Sequence, residues 1–475
     1  MTSLWRILLL SAIWVASAPA LAAEKPVPAE APGPPGKTAE KPPAGPNQCL
    51  ECHGNADVWD KDQQRLFVTK EVLAALAGDI HWQKGLRCAD CHGGNPATEE
   101  VNQAHAEEDG FRSLRSLPKD YTKPPQPAKV VELCGKCHAN IEYMRRYRPS
   151  PRTDQLTEYW TSGHGRALKA TGDPKVATCI SCHDKPHGSA EDRGKHGILA
   201  VDNLESPVYR TRVAKTCAKC HADEKVMAGY QYHGQPLGVK QYEEWRASVH
   251  AQALLIKGDL SAPTCNNCHG NHGALPPEVG SVANACGACH GKIASLFAET
   301  RMKHHFEQEK LPGCATCHSN HKIQPPSDTM VGMEGGAVCA KCHENGKYGA
   351  TLAGAEAART IRAGLNGLSD QIKRAKETID DAERLGMEIS VPKFELQKAF
   401  NALTNARTLL HSFQVKPVEA ALADGQKVVT EVQGKADHAL VEHDYRRVWL
   451  AASLVPVLIV IGLLLLYIRT LPTPK

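Results

Sequence analysis

One five-residue pattern, Cys-x-x-Cys-His, recurs nine times along the 475-residue chain and uses all 18 of its cysteines. Two thiols at this spacing can add across the two vinyl groups of one haem, while the adjacent imidazole coordinates the iron from one face. The sequence therefore predicts nine covalently bound haem c groups. In chain order, motifs 1 to 9 supply Cys49, Cys52 and His53; Cys88, Cys91 and His92; Cys134, Cys137 and His138; Cys179, Cys182 and His183; Cys217, Cys220 and His221; Cys265, Cys268 and His269; Cys286, Cys289 and His290; Cys314, Cys317 and His318; and Cys339, Cys342 and His343.

Two other uses of paired cysteines explain this pattern less well. A closed zinc site needs two such half-sites, or one half-site with a separated histidine pair, and gives no reason for a histidine after every second cysteine. A disulfide framework does not require that histidine either. Histidine makes up only 23 of the 475 residues, so nine successive coincidences are negligible and haem is the favoured interpretation.

The second axial ligand of each iron decides whether a haem only transfers electrons or also binds a substrate. The region of the motifs contains eleven further histidines, enough for nine distal positions. Recurring sequence units favour His81, His164, His187, His250, His272, His304 and His321, with His305 as the alternative to its neighbour His304. His105, His196 and His233 are left open between ligand and surface residue, and Met144 and Met227 are predicted to pack in the core.

The motif region is an internal repeat. Residues 134–183 and 217–269 each begin with a motif and place a histidine, His164 or His250, fifteen residues before the next motif. A second unit follows a motif closely with His187, His272 or His321. These three lie too near their own motif histidine to reach across the same haem, so we expect them to ligate a neighbouring one. The repeating unit is thus predicted to be a haem pair.

The two ends of the chain predict export and membrane anchoring. Residues 1–22 have the charge, apolar stretch and Ala-Leu-Ala site of a secretory signal peptide, and residues 23–47 form a proline-rich linker. Residues 446–469 are predicted to be a transmembrane helix, because 448–468 carries no charge. Residues 470–475 would be a cytoplasmic tail. Together these features predict a single-pass protein of the bacterial inner membrane with its haem domain in the periplasm.

The part between these ends divides by composition into a nonahaem domain, residues 48–350, and a helical bundle or stalk, residues 351–445. In the latter, apolar residues recur at alternating steps of three and four, which predicts three helices packed antiparallel. The predicted fold is therefore mainly α: a head of low regular structure packed around haems, an antiparallel helical bundle and one C-terminal transmembrane helix. The bundle is interpreted as a rigid stalk or a docking surface for a membrane partner; alternatively, it simply packs against the head.

The net charge argues against nucleic-acid binding. The formal charge of the chain is +4. Two propionates on each of nine haems would make the assembled protein roughly a dozen units negative.

The Ser-x-His…Cys-x-x-Cys-His-x-x-His-Gly arrangement near 162–188 and 248–273, with the C-terminal span, resembles membrane-anchored periplasmic multihaem cytochromes c that accompany cytochrome b-type quinone oxidoreductases in anaerobic respiration. The resemblance implies electron transport along a haem chain between a membrane quinol-linked donor and soluble or outer-membrane acceptors. It also implies quinone oxidoreductase subunits and periplasmic cytochromes as partners.

The alternatives are an enzyme and a scaffold that assembles a complex. An enzyme would oxidise or reduce a small nitrogen or sulfur species, such as hydroxylamine, nitrite or tetrathionate, at one five-coordinate haem. The first haem is the best candidate, because nothing before Cys49 in the mature chain can supply a histidine. However, no motif ends in lysine as in pentahaem nitrite reductases, and nine motifs exceed the eight of the hydroxylamine oxidoreductases. No catalytic residue is assigned, and electron transfer is favoured over catalysis.

Overall fold

The computed structural model describes residues 47–61, 67–105, 127–184, 197–278 and 281–471. The predicted signal peptide and almost all of the proline-rich linker lie outside the described residues, as do His187 and His196.

The head consists of short helices joined by loops. Its helices are α1 (Cys49–His53), α2 (Lys70–Gly78), α3 (Ile80–Gln83), α4 (Cys88–His92), α5 (Val101–Ala104), α6 (Pro127–His138), α7 (Ile141–Arg145), α8 (Gln155–Thr161), α9 (Gly163–Thr171), α10 (Cys179–His183), α11 (Val213–His221), α12 (Glu224–Met227), α13 (Gln241–Arg246), α14 (Val249–Leu255), α15 (Cys265–His269), α16 (Val282–Gly287), α17 (Gly291–Ala298), α18 (Arg301–Gln308), α19 (Gly313–His318) and α20 (Ala340–His343). Strands β1 (Gln231–Tyr232) and β2 (Gln235–Pro236) form one antiparallel hairpin.

Several motifs fold as isolated helical turns that their own middle residues close. The backbone N–H of Thr178 donates to Ser181 Oγ at 2.9 Å, and that of Thr264 donates to Asn267 Oδ1 at 2.9 Å. Such a bond satisfies a donor that the first turn of a helix leaves without a partner. The second of the two variable positions between the cysteines therefore helps to fix the motif backbone.

Apolar side chains in the head form small separate clusters rather than one core. One cluster surrounds Tyr159 and Leu168, and a second surrounds Trp245 and Leu254. Each lies beneath a helix that carries one of the repeat-positioned histidines, so the clusters fix those helices.

The bundle consists of α21 (Leu352–Arg384), α22 (Ser390–Leu409) and α23 (Val415–Thr470). Its core is the predicted heptad stripe, buried along each helix: Ile361, Leu365, Leu368, Ile372, Ala375, Ile379 and Ala382 on α21, Leu396, Ala399, Leu403 and Ala406 on α22, and Val418, Leu422, Gly425, Val429, Val432 and Ala436 on α23. The predicted mainly α fold with a helical bundle is confirmed.

Two prolines in the bundle mark helix starts. Pro392 and Pro417 each occupy the third position of a helix, α22 and α23, where a backbone N–H has no intrahelical acceptor. Each proline therefore costs its helix no hydrogen bond.

The third bundle helix continues without interruption into an apolar segment. The side chains of 448–468 are largely exposed, and α23 is long and apolar enough to cross a membrane. Among the described residues, this is the one helix that meets that criterion. The helix could therefore anchor the protein in a membrane, as predicted.

The head contacts the bundle at the end far from this apolar segment. The rings of Phe297 and Phe413 lie 6.4 Å apart, and Arg407 pairs with both carboxylate oxygens of Asp328 at 2.9 and 2.7 Å. From Val415 to Val448 is 33 residues of continuous helix, which span about 50 Å at 1.5 Å per residue. The bundle thus holds the head well away from the apolar segment.

Candidate haem-binding site

One large cavity runs through the described part of the head. All eighteen cysteines and all nine motif histidines line it. Its volume is about 5520 Å³, which divided among nine motifs is about 610 Å³ each, within the range of a pocket for one cofactor.

The first cysteines of consecutive motifs meet in pairs. Cys49 and Cys88 hydrogen-bond to each other, which raises the pKa of the Cys49 thiol and lowers that of Cys88 to about 6. The same contact recurs in three further pairs: Cys134 with Cys179, Cys217 with Cys265, and Cys286 with Cys314. Motifs 1 to 8 thus form four pairs in chain order.

The second cysteines connect one pair to the next. Burial and the neighbouring charges of Asp90, Asp79 and Cys137 raise the pKa of the Cys91 thiol to about 11, which places motif 2 beside motif 3. Cys182 likewise neighbours Cys220, Cys268 neighbours Cys289, and Cys317 neighbours Cys339. The nine motifs therefore lie along the cavity in the order in which they occur in the sequence.

Among the residues that the structure describes, seven motif histidines each face a second histidine across the cavity. The pairs, with the distance between ring centres, are His53 and His105 at 6.2 Å, His138 and His81 at 6.0 Å, His183 and His272 at 6.2 Å, His221 and His164 at 5.9 Å, His269 and His321 at 6.0 Å, His290 and His250 at 6.4 Å, and His318 and His411 at 6.2 Å.

This spacing fits one iron between each pair. A metal–imidazole bond is about 2.0 Å and the ring centre lies about 1.1 Å beyond the nitrogen, so two axial imidazoles have ring centres about 6.2 Å apart. The residues present therefore fit haem ligated by two histidines.

Helix caps position three of the facing histidines. Ser162 Oγ accepts the N–H of Gly165 at 3.0 Å, and Ser248 Oγ accepts that of Ala251 at 3.2 Å. Asp79 Oδ1 accepts the N–H of His81 at 2.7 Å in the same way. In all three helices the capping side chain is buried, and the histidine is the second helical residue. The caps therefore hold His81, His164 and His250 at the same position of their helices.

A tight turn after the motif positions two others. Gly270 follows His269 with φ +87° and ψ 160°, and Ser319 follows His318 with φ +67° and ψ 178°. The turn returns the chain so that His272 faces His183 of motif 4 and His321 faces His269 of motif 6. Each therefore faces the motif two before its own.

Burial favours the neutral form of these imidazoles, which is the form that ligates iron. It lowers the pKa of His183 to about 4 and lowers those of His138, His164 and His221. Backbone carbonyls fix several rings through the other nitrogen. His105 Nδ1 bonds to Val101 O at 2.8 Å, and His411 Nδ1 to Thr408 O at 3.1 Å. Such bonds orient a ligating ring and set its tautomer.

The structure locates four histidines whose roles the sequence left open or shared with a neighbour. His105, left open from sequence, faces His53, which argues against the first motif as the five-coordinate haem of the enzyme alternative. His304 lies off the cavity wall with its side chain 78% exposed beside Glu307, whereas His305 lines the cavity. His233 is exposed beside Glu278.

Sequence reasoning missed His411, which belongs to the bundle and faces motif 8. It was missed because second axial ligands were expected only within the cysteine-bearing region. The one available signal was its place at the break between two heptad stripes.

Comparison with known proteins agrees with this arrangement. Residues 258–345 match the family model for cytochrome c3. A protein of Kuenenia stuttgartiensis named "Probable nitrite reductase-hydroxylamine oxidoreductase fusion protein" is 21% identical over 245 residues, which are 47% of this chain and 25% of that protein. The chain thus matches about a quarter of that relative's length. No solved structure matches. The repeated motifs, the facing histidines and these two similarities support a relationship to the multihaem c-type cytochromes.

Proposed function

We propose that this protein is a membrane-anchored nonahaem cytochrome that carries electrons along a chain of nine haems, on the periplasmic side of a bacterial inner membrane. Bound haem iron supplies the one-electron chemistry. The observation that carries the proposal is the set of seven facing histidine pairs, because two imidazoles per iron leave no coordination position for a substrate.

The chain's own residues do three things in this proposal. The two cysteines of each motif attach one haem, and successive haems lie side by side in sequence order. The histidines fix both axial positions, and His187, which lies outside the described residues, would serve motif 2 by the same rule that places His272 and His321. The buried clusters and helix caps hold these ligands rigidly, as rapid electron transfer requires.

The position of the head constrains the donor. Motifs 8 and 9 lie nearest the bundle, because His411 faces His318 and the ring of His343 bonds to Thr351 at the start of α21. The apolar segment begins about 50 Å further along α23. A quinol in the membrane is therefore too distant to reduce the head directly. A quinone oxidoreductase partner would have to present its own redox centre close to motifs 8 and 9. Periplasmic or outer-membrane cytochromes would accept electrons at the other end of the haem chain, at motif 1.

A second function, oxidation or reduction of a small nitrogen or sulfur species at one five-coordinate haem, is favoured by the name of the Kuenenia stuttgartiensis relative. Low-temperature electron paramagnetic resonance (EPR) of the oxidised protein in detergent separates the two. We expect essentially all nine ferric haems to be low-spin. A high-spin signal from about one haem in nine would support the enzyme instead, and hydroxylamine or nitrite should then perturb that signal.

A further inference from the structure

Motif 9 differs from motifs 3, 5 and 7 in the second ligand that the repeated helices offer it. Motifs 3, 5 and 7 are each faced by a histidine on a capped helix that precedes the even-numbered motif before them: His81, His164 and His250. Helix α18 precedes motif 8 and is therefore the corresponding element for motif 9.

The start of α18 closely matches the starts of α9 and α14. Thr300 is its buried cap, and Thr300 Oγ1 accepts the N–H of Lys303 at 3.1 Å. The same hydroxyl donates to Phe297 O at 2.7 Å, as Ser162 Oγ donates to Tyr159 O at 2.6 Å. In α9, α14 and α18 alike, a buried aromatic residue precedes the cap by three positions. The three helix starts are thus three copies of one structural unit.

At the ligand position of this unit α18 carries methionine. The second helical residue is His164 in α9 and His250 in α14, but it is Met302 in α18. Met302 is partly buried and lines the haem cavity. His304 and His305 lie two and three positions further along α18, and both are exposed.

The motif side of this site is also ordered. The ring of His343 packs against Gly354 at the start of α21, and its Nδ1 bonds to Thr351 O at 2.9 Å. This leaves Nε2 for iron, as in the facing pairs.

We propose that Met302 is the second axial ligand of haem 9, which would therefore have histidine–methionine ligation while its neighbours have two histidines. The inference rests on the proposed function, since it requires haem at Cys339 and Cys342. A thioether ligand raises the potential of a haem relative to a second imidazole. Haem 9, at the bundle end of the chain, would then be among the most oxidising of the nine.

The test is near-infrared magnetic circular dichroism of the oxidised full-length protein, in which thioether-to-iron charge transfer differs from that of a haem with two histidines. We expect a methionine signature equal to one haem in nine. Met302→His should abolish that signature without adding high-spin iron, and should lower the potential of one haem. Met302→Ala should abolish it and produce high-spin iron equal to one haem in nine.

Two control variants identify the competing ligands. His305→Ala and Met330→Leu alter other cavity-lining side chains near motifs 8 and 9 and should leave the signature unchanged. No signature in the wild-type protein, or its loss in Met330→Leu with retention in Met302→His, would overturn the inference. High-spin iron in His305→Ala would assign the ligand to His305 instead. Haem counting by mass spectrometry separates these outcomes from failure of the proposed function, in which fewer than nine haems would be attached.

Discussion

His318 and His411 face each other with ring centres 6.2 Å apart and ring planes 22° apart. His318 belongs to motif 8 in the head, whereas His411 lies in the turn between α22 and α23 of the bundle. An iron held between them would join two parts of the chain that differ entirely in composition. With iron bound there, the bundle would be part of the electron-transfer unit as well as its support.

The first prediction concerns this link. His411→Ala removes one imidazole, so we expect high-spin ferric iron equal to about one haem in nine, with all nine haems still attached. EPR and mass spectrometry measure the two quantities. His438→Ala is the matched control, because His438 is an exposed histidine of the same bundle. A wholly low-spin His411→Ala protein would show that His411 does not ligate iron.

Much of this architecture was predictable, and the reason is periodicity. The heptad stripes predicted the bundle core at Leu365, Leu403 and Val432, since a strict repeat leaves one face to bury. The prediction of the haem attachment residues rests on local spacing alone.

The pairing of distal histidines was not predictable in the same way. His164 lies before motif 4 but faces motif 5, and His272 follows motif 6 but faces motif 4. Such pairings depend on how whole helices cross, which local spacing does not determine. His411 shows the limit most clearly, because its partner is 93 residues away in a different part of the chain.

The second prediction concerns the start of α21, where a methyl group at Gly354 would collide with the His343 ring. Glycine to alanine in a helix normally stabilises by about 0.5–1 kcal/mol. Overpacking at this contact should reverse the sign and cost about 1–3 kcal/mol. Gly354→Ala should also change the spectrum of one haem. Urea unfolding followed by circular dichroism measures the stability.

Gly367→Ala provides the control for this substitution. It lies in the same helix with open space around its Cβ position, and should stabilise the protein slightly. Equal stabilisation by both substitutions would contradict the packing of His343 against α21.

The third prediction concerns Ser319, which has φ +67° and ψ 178° in the turn that places His321. Residues with a Cβ pay about 1–3 kcal/mol in this region of backbone conformation. Ser319→Gly should therefore raise the free energy of unfolding by about 1 kcal/mol, after allowing for the greater freedom of glycine in the unfolded chain. The reciprocal change, Gly270→Ser in the equivalent turn, should destabilise the protein. Opposite signs in urea titrations are the expected result, and equal signs would contradict it.

The fourth prediction concerns the apolar end of α23. The buried bundle positions end at Ala439, while the side chains of 448–468 are largely exposed. Deleting residues 446–475 should therefore release the protein from membranes without unfolding the bundle or losing haem, because that segment contributes nothing to the bundle core. Fractionation of membranes washed at high salt, with haem absorbance as the readout, measures the distribution against the full-length chain. N-terminal sequencing of both proteins excludes a retained signal segment as a second anchor. If the truncated, processed protein still sedimented with membranes, the head or bundle would itself bind the membrane or a resident partner, and the span would not be the anchor.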